Sequence, residues 1–254
     1  MKSKDKKRMK NNSKSKSQKV APQSSLGKLW DYIKRFWDFI WNDDSLLSYI
    51  ANFAVALVFI KFLLFPTLGF LLNNDYPVVA IVSGSMEHKI VETRGYYVLC
   101  DKAFPDSSFK GRVDTDSWWK YCGDYYQTNY NLTLDKFKEY PYKNGLNIGD
   151  VMVLYGEEPV DIELGEVLVF VPNDKKFFEE KGPVIHRVVD KWQDEEGKYH
   201  FRTKGDHNPV SIDEFEEDIS EEQVIAVAKF RIPFIGYVKI AMNYVFVFVR
   251  GIFI

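Results

Sequence analysis

The chain has 254 residues, of which 46% are hydrophobic, 16% aromatic and 28% charged. This length supports one or two domains with a proper core, and the composition requires the apolar residues to be concentrated in particular segments. The net charge of −2 conceals an asymmetry, because residues 1–20 contain nine Lys or Arg and a single acid, Asp5. A basic tail can bind nucleic acid. Here it precedes a hydrophobic stretch and the positive-inside rule explains it, so we expect no nucleic-acid partner.

Two segments of different character precede the hydrophobic stretch. Residues 1–24 are rich in Lys, Ser and Asn and have almost no large apolar side chains, which predicts a disordered basic cytoplasmic tail. Residues 25–42 place Trp and Phe at helical spacing on one face and charged residues on the other. This pattern predicts an amphipathic helix at a membrane surface, and the alternative is an ordinary helix packed on a core.

The hydrophobic stretch runs from Leu46 to Leu72, and Leu46–Phe65 supplies the roughly 20 residues that span a bilayer. Pro66 and Gly69 are expected to break or kink the helix. Residues 25–72 are therefore predicted to form an interfacial helix and a transmembrane helix, with the N-terminus inside. Residues 232–254 are again apolar, and we expect a second transmembrane helix there rather than a final strand and an interfacial segment.

Residues 73–231 are predicted to form an extracytoplasmic domain that is mainly β. Short apolar or alternating runs recur, and Gly, Asp and Asn separate several of them. The runs are Val78–Val82, Tyr96–Cys100, Val151–Tyr155, Val167–Val171, Val184–Val189, Tyr199–Thr203 and Val224–Phe230. Asp194-Glu195-Glu196-Gly197 predicts a hairpin turn between Val184–Gln193 and Lys198–Thr203.

The strand pattern stops between Lys102 and Leu146, a segment that we call the insertion. It is rich in Trp and Tyr and holds two helical candidates, Asp116–Tyr126 and Leu132–Tyr140. Cys100 and Cys122 bracket its first part. Outside the cytoplasm they could form a disulfide, and two buried thiols are the alternative.

The run Val78–Val82 ends in Ser83-Gly84-Ser85. Gly84 permits a tight change of direction, so the hydroxyl of Ser85 would be held on a rigid element. A serine nucleophile needs such fixed geometry towards its base and its substrate. The tripeptide is nevertheless common in ordinary turns, so its function depends on its partners.

Four histidines could serve Ser85: His88, His186, His200 and His207. His186 interrupts an apolar strand and must be hydrogen-bonded there, either as a core residue or as a catalytic one. His88 lies three residues from Ser85 and could reach the same site. The loop from Thr203 to Asp213 follows the His186 hairpin and offers two acids, Asp206 and Asp213, of the kind that orients a histidine.

Three of these stretches, in this order, resemble the successive conserved boxes of type I signal peptidases. They are Ser83-Gly84-Ser85-Met86-Glu87, Ile185-His186-Arg187-Val188-Val189 and Thr203-Lys204-Gly205-Asp206 with Asp213. The branch resembled is the Ser-His-Asp one of archaea and the eukaryotic endoplasmic reticulum. Further segments are similar to later motifs of the family: Gly149-Asp150-Val151, Leu164-Gly165-Glu166-Val167 and Ile232–Val238. The resemblance covers about residues 46–240. His88 stands where the family usually has proline, and the insertion is longer than usual.

The resemblance implies a role for each matching residue. Ser85 would be the nucleophile, His186 the general base and then acid, Asp213 the residue that orients His186, and Asp206 a support for the site. The backbone N–H of Ser85 and the hydroxyl of Ser83 would form the oxyanion hole. For His88→Ala we expect only a modest loss of activity.

The implied function is that of a membrane-bound serine endopeptidase that removes signal peptides from translocated preproteins. Its expected partners are signal peptides, the lipid bilayer and the protein translocation machinery. Its expected place is the cell membrane, with the catalytic domain outside the cytoplasm. No cofactor or metal is expected. The alternative is an inactive or scaffolding subunit of a secretion or processing complex, which binds partners through the aromatic insertion.

Overall fold

The computed structural model describes residues 25–93, 95–104, 110–212 and 215–237. The predicted disordered tail at residues 1–24 lies outside these ranges, and so does most of the predicted C-terminal membrane helix. Backbone contacts divide the chain into two compact units, residues 1–60 and residues 61–254. We describe each unit by itself.

The first unit contains α1 (Ser25–Asn42) and α2 (Leu46–Phe59). Ser45 caps α2 by accepting a hydrogen bond from the backbone N–H of Ser48 at 3.2 Å. The buried hydroxyl of Ser48 donates to the Phe39 carbonyl at 2.7 Å, which joins the start of α2 to the end of α1. Most large apolar side chains of both helices are exposed, as the amphipathic and membrane patterns require.

The helical run does not end at Phe65. A π-helical turn at Ile60–Leu64 follows α2 and leads into α3 (Phe65–Leu71), with Pro66 in its first turn. Proline lacks an N–H and crowds the preceding turn, and a π-helical turn accommodates such a disruption without ending the helix. Leu46–Leu71 thus comprises 26 helical residues with a mean hydropathy of 2.2, which is long and apolar enough to cross a membrane.

The second unit is built on two antiparallel sheets, so the expectation of a mainly β fold is confirmed. Its larger sheet has seven strands in the order β1-β6-β11-β7-β8-β9-β10, and its smaller sheet has the order β4-β3-β2-β5. The strands are β1 Val78–Ala80, β2 Lys89–Thr93, β3 Tyr96–Leu99, β4 Lys102–Phe104, β5 Gly111–Arg112, β6 Val151–Tyr155, β7 Val167–Phe170, β8 Val184–Gln193, β9 Tyr199–Lys204, β10 Ile219–Ser220 and β11 Val224–Ile232.

Strand β7 lies at the centre of the larger sheet, and all four of its residues are buried. A strand covered on both faces reads as a continuous apolar run, which explains why it was visible in the sequence. The predicted hairpin also forms, because β8 and β9 pair through the turn at Asp194–Gly197. A short helix, α6 (Lys175–Lys181), connects β7 to β8.

The insertion carries β4 and β5 and the two predicted helices, as α4 (Thr115–Tyr130) and α5 (Leu134–Glu139). Asp114 and Thr133 cap them through their side chains. Trp118, Tyr126 and Phe137 are fully buried in a common core. Cys100 and Cys122 form a disulfide, which is one of the two states that the sequence left open.

Two of the family-like segments meet where β6 begins and β11 ends. The backbone N–H of Gly236 donates to the Gly149 carbonyl at 2.8 Å. A Cβ at Gly149 would lie 2.3 Å from the ring of Tyr237, and the φ of Gly149 is +88°. Only glycine allows this close approach.

Candidate active site

Ser85 lies on a tight turn that follows β1. Ile81 is buried, and its N–H donates to the Asp150 carbonyl at 2.8 Å, which anchors the chain just before the turn. The N–H of Glu87 then donates to the Gly84 carbonyl at 3.0 Å and closes the turn. Ser85 is half-buried and Ser83 is exposed. The hydroxyl of Ser85 is therefore accessible and held on a rigid support.

His186 lies on β8, where it pairs with Leu168 of β7. The residue is only 5% exposed, and its Nε2 is 2.8 Å from the Oγ of Ser85. The two residues are 101 positions apart in the chain. The fold thus brings the predicted nucleophile and the predicted base into direct hydrogen-bond contact.

The carboxylate on the other side of the His186 ring belongs to Glu216, which bonds to Nδ1. Glu216 is fully buried. Its Oε1 also accepts the Thr203 hydroxyl at 3.3 Å, and its Oε2 accepts the N–H of Ile212 at 2.8 Å. Asp213, to which the family resemblance gave the orienting role, lies outside the described residues.

Glu216 did not emerge from the sequence. It lies in the acidic run Glu214-Phe215-Glu216-Glu217-Asp218, and no motif separates it from its neighbours. The one available sequence signal was Phe215, an apolar residue within this acidic run. In the structure it is 9% exposed and packs this part of the loop onto the core.

These contacts determine which nitrogen of His186 carries the proton. A carboxylate can only accept, so Nδ1–H donates to Glu216 and Nε2 is left to accept the hydroxyl proton of Ser85. This is the arrangement that activates a serine in a Ser-His-acid triad. The Oγ of Ser83 is 3.1 Å from the Oγ of Ser85, so a second hydroxyl lies directly beside the predicted nucleophile.

Asp206 does not contact His186 in the described structure. It is fully buried and accepts two bonds from Arg187, the residue after His186, at 2.9 and 2.8 Å. His88 and Tyr126 complete its contacts. Although burial by itself would raise the pKa of Asp206, the charge of Arg187 and the hydrogen bonds hold that pKa well below its usual range.

The two remaining histidines differ in their distance from this site. The N–H of His207 donates to the Ser85 carbonyl at 2.8 Å, so the backbone of His207 supports the turn that carries Ser85. His200 lies on β9, where its ring bonds to Asp218 at 2.6 Å and to Asp194 at 3.3 Å. It is not part of the Ser85 site.

No protein-family model matches the chain. Several known proteins are similar to it. The "Signal peptidase complex catalytic subunit sec11" of Dictyostelium discoideum is 30% identical over 116 residues, which is 42% of this chain and 62% of that protein. The subunit SEC11 of Tuber melanosporum is 28% identical over 204 residues, which is 78% of this chain and 80% of the relative. The human subunit SEC11C is 29% identical over 99 residues, or 37% of this chain and 49% of the human protein. The chain thus matches less than two thirds of the Dictyostelium and human relatives.

Proposed function

We propose that this chain, a homologue of the catalytic subunits of the signal peptidase complex and so of the endoplasmic-reticulum type of signal peptidase I, removes signal peptides from preproteins. One observation carries the proposal beyond the similarity: Ser85 Oγ lies 2.8 Å from His186 Nε2, with the Glu216 carboxylate on Nδ1. Nothing in the described residues favours the alternative of an inactive scaffolding subunit.

In the acylation step, the Oγ of Ser85 attacks the scissile carbonyl carbon while Nε2 of His186 takes the hydroxyl proton. The Glu216 carboxylate stabilises the imidazolium that forms and keeps its ring in place. His186 then gives the proton to the leaving amine, and the peptide bond breaks. The product is an ester between Ser85 and the signal peptide.

In the deacylation step, a water molecule gives a proton to Nε2 of His186 and attacks the ester carbonyl. Return of the proton to the Oγ of Ser85 releases the signal peptide and restores the enzyme. Both tetrahedral intermediates carry an oxyanion. The backbone N–H of Ser85 and the hydroxyl of Ser83 donate the hydrogen bonds that stabilise it. A single such donor is worth on the order of 10²–10³ in rate.

The substrate has an available edge at which to bind. Among the described strands, β1 is the terminal strand of the larger sheet and pairs only with β6. Val82, between β1 and the serine turn, is 57% exposed. An extended peptide that added to this edge would lead its scissile bond towards Ser85.

The location proposed for this reaction is a membrane, with the catalytic unit outside the cytoplasm. The helix at Leu46–Leu71 supports a membrane anchor. The similarity to catalytic subunits of the signal peptidase complex supports a membrane of the endoplasmic-reticulum type. Association with translocation machinery remains part of the proposal.

The test is cleavage of a preprotein by the full chain in proteoliposomes. We expect Ser85→Ala and His186→Ala to lose activity by at least about 10³-fold, because each removes a member of a unit that acts together. His200→Ala is the matched control, since it removes a histidine bonded to acids on β9, and it should cleave normally. Full activity of either site variant would exclude the mechanism.

A further inference from the structure

His88 and Tyr126 both contact Asp206, yet neither takes part in the chemistry proposed above. His88 Nε2 lies 3.0 Å from Oδ2 of Asp206, and the hydroxyl of Tyr126 donates to Oδ1 at 3.2 Å. With the two bonds from Arg187, four contacts hold this carboxylate. All four residues are essentially excluded from solvent.

The tautomer of His88 follows from its surroundings. Its Nδ1 is buried and has no hydrogen-bond partner among the described residues. A proton on Nδ1 would be an unsatisfied buried donor, so the proton belongs on Nε2, from which it is donated to Asp206. Burial also lowers the pKa of His88, against the opposing effect of Asp206, and this favours the neutral ring.

The insertion encloses this cluster. Trp118 of α4 stacks on the His88 ring, with centroids 4.1 Å apart and planes 1° from parallel. Phe137 of α5 lies under the guanidinium of Arg187 at 5.0 Å. The carbonyls of Pro141 and Tyr142 accept hydrogen bonds from the two terminal nitrogens of Arg187 at 2.8 and 3.1 Å.

The same cluster is connected to the reacting groups on three sides. His88 is three residues from Ser85, and Arg187 is adjacent to His186. On the third side, both neighbours of Asp206 lie close to Ser85 and His186. A Cβ at Gly205 would lie 2.9 Å from both His186 Nε2 and the Ser85 carbonyl oxygen, so the backbone packs there without room for a side chain, and the N–H of His207 donates to the same carbonyl.

We propose that the insertion is a working part of the active site, in which His88 and Tyr126 act as positioning residues that hold Asp206 and, through it, fix the Ser85 turn against His186. The inference rests on the proposed peptidase function. It gives a catalytic consequence to the aromatic insertion, which the alternative hypothesis of a scaffolding subunit makes a partner-binding surface.

Three variants separate the contributions of this cluster. Tyr126→Phe removes one hydroxyl from the insertion and leaves its ring in the core. His88→Phe keeps a ring for Trp118 to stack on but has no donor, whereas His88→Gln keeps a donor near the Nε2 position but has no ring. Tyr130→Phe is the matched control for the first variant, because Tyr130 also lies on α4 and its hydroxyl faces Tyr125 instead. His200→Gln is the matched control for the His88 variants.

The full chain in proteoliposomes is assayed for kcat and KM on a preprotein, and each variant's melting temperature is recorded. We expect kcat to fall on the order of tenfold in Tyr126→Phe and a hundredfold in His88→Phe with KM unchanged, because a displaced catalytic pair slows chemistry and leaves peptide binding intact. This replaces the modest loss expected from the sequence for His88→Ala, because His88 bonds to the buried Asp206. His88→Gln should recover most of the loss, and both controls should match wild type.

A merely structural role would lower the melting temperature and leave the kcat of the folded enzyme unchanged, and that result would overturn the inference. A loss that appeared only in KM, or a His88→Gln variant as slow as His88→Phe, would overturn it as well. If His88→Phe does not fold, Tyr126→Phe against Tyr130→Phe decides the question. Wild-type chain that fails to cleave would instead refute the proposed function itself.

Discussion

Replacement of Glu216 by glutamine tests the catalytic geometry most directly. The N–H of Ile212 donates to one oxygen of Glu216 at 2.8 Å, so a glutamine would keep its oxygen there and turn its NH₂ towards Nδ1 of His186. His186 would then have to accept at Nδ1 and carry its proton on Nε2. In that tautomer it cannot take the proton of Ser85.

We therefore expect Glu216→Gln to lower kcat on the order of 10³–10⁴, as expected for a triad histidine held in the wrong tautomer. This corresponds to about 4 to 5.5 kcal/mol of transition-state stabilisation. The substitution is nearly isosteric, so the fold and KM should change little. The assay is steady-state cleavage of a preprotein by the full chain in proteoliposomes.

Two neighbouring acids are the controls. Glu217 bonds to Arg202 near the surface, so Glu217→Gln should cleave like wild type. Asp213→Asn addresses the residue that the family resemblance had indicated, and it should retain most activity. If Asp213→Asn is inactive while Glu216→Gln keeps more than a tenth of wild-type kcat, the assignment of the orienting acid to Glu216 is refuted.

The remaining predictions concern stability and topology. Loss of the Cys100–Cys122 disulfide through Cys122→Ser should lower the free energy of unfolding by about 3 kcal/mol, measured by urea denaturation against wild type. Burial lowers the pKa of Lys204 to about 8, so between pH 8 and 10 the unfolded chain holds a proton that the folded chain lacks. The wild type should consequently gain stability relative to Lys204→Met as the pH rises through this window, and a constant difference would contradict the burial argument. Asn131, which begins the sequon Asn131-Leu132-Thr133, is exposed at the end of α4 and should be glycosylated in microsomal membranes, while Asn11 should not. The reverse pattern on a glycosidase gel-shift assay would refute the proposed topology.

Much of the fold was readable because each element satisfies its own local rule. The buried run Val167–Val171 and the hairpin around Asp194–Gly197 carry the strand and turn patterns that the structure realises as β7 and the β8–β9 turn. Helices α4 and α5 were predicted within a few residues of their ends. The apolar stretch was predicted to break or kink near Pro66, and in the structure a π-helical turn before Pro66 lets the helix continue to Leu71.

Some residues of the candidate site could also be predicted from the sequence, whereas others could not. Ser85 and His186 were singled out from the sequence because Ser85 directly follows an apolar run, His186 interrupts an apolar strand with a group that needs a partner, and their order resembles that of a known family. The sequence by itself therefore determined the mainly β class and the apolar span, and it singled out Ser85 and His186 as the candidate nucleophile and base. Only the tertiary structure decided which acid meets His186 and which side chains of the insertion meet Asp206 and His88. Both depend on hydrogen bonds between distant segments, such as Glu216 to His186 and Tyr126 to Asp206, which are 30 and 80 residues apart. A buried polar group must find a partner somewhere, but its local sequence carries no record of which distant chain segment the fold will bring to it.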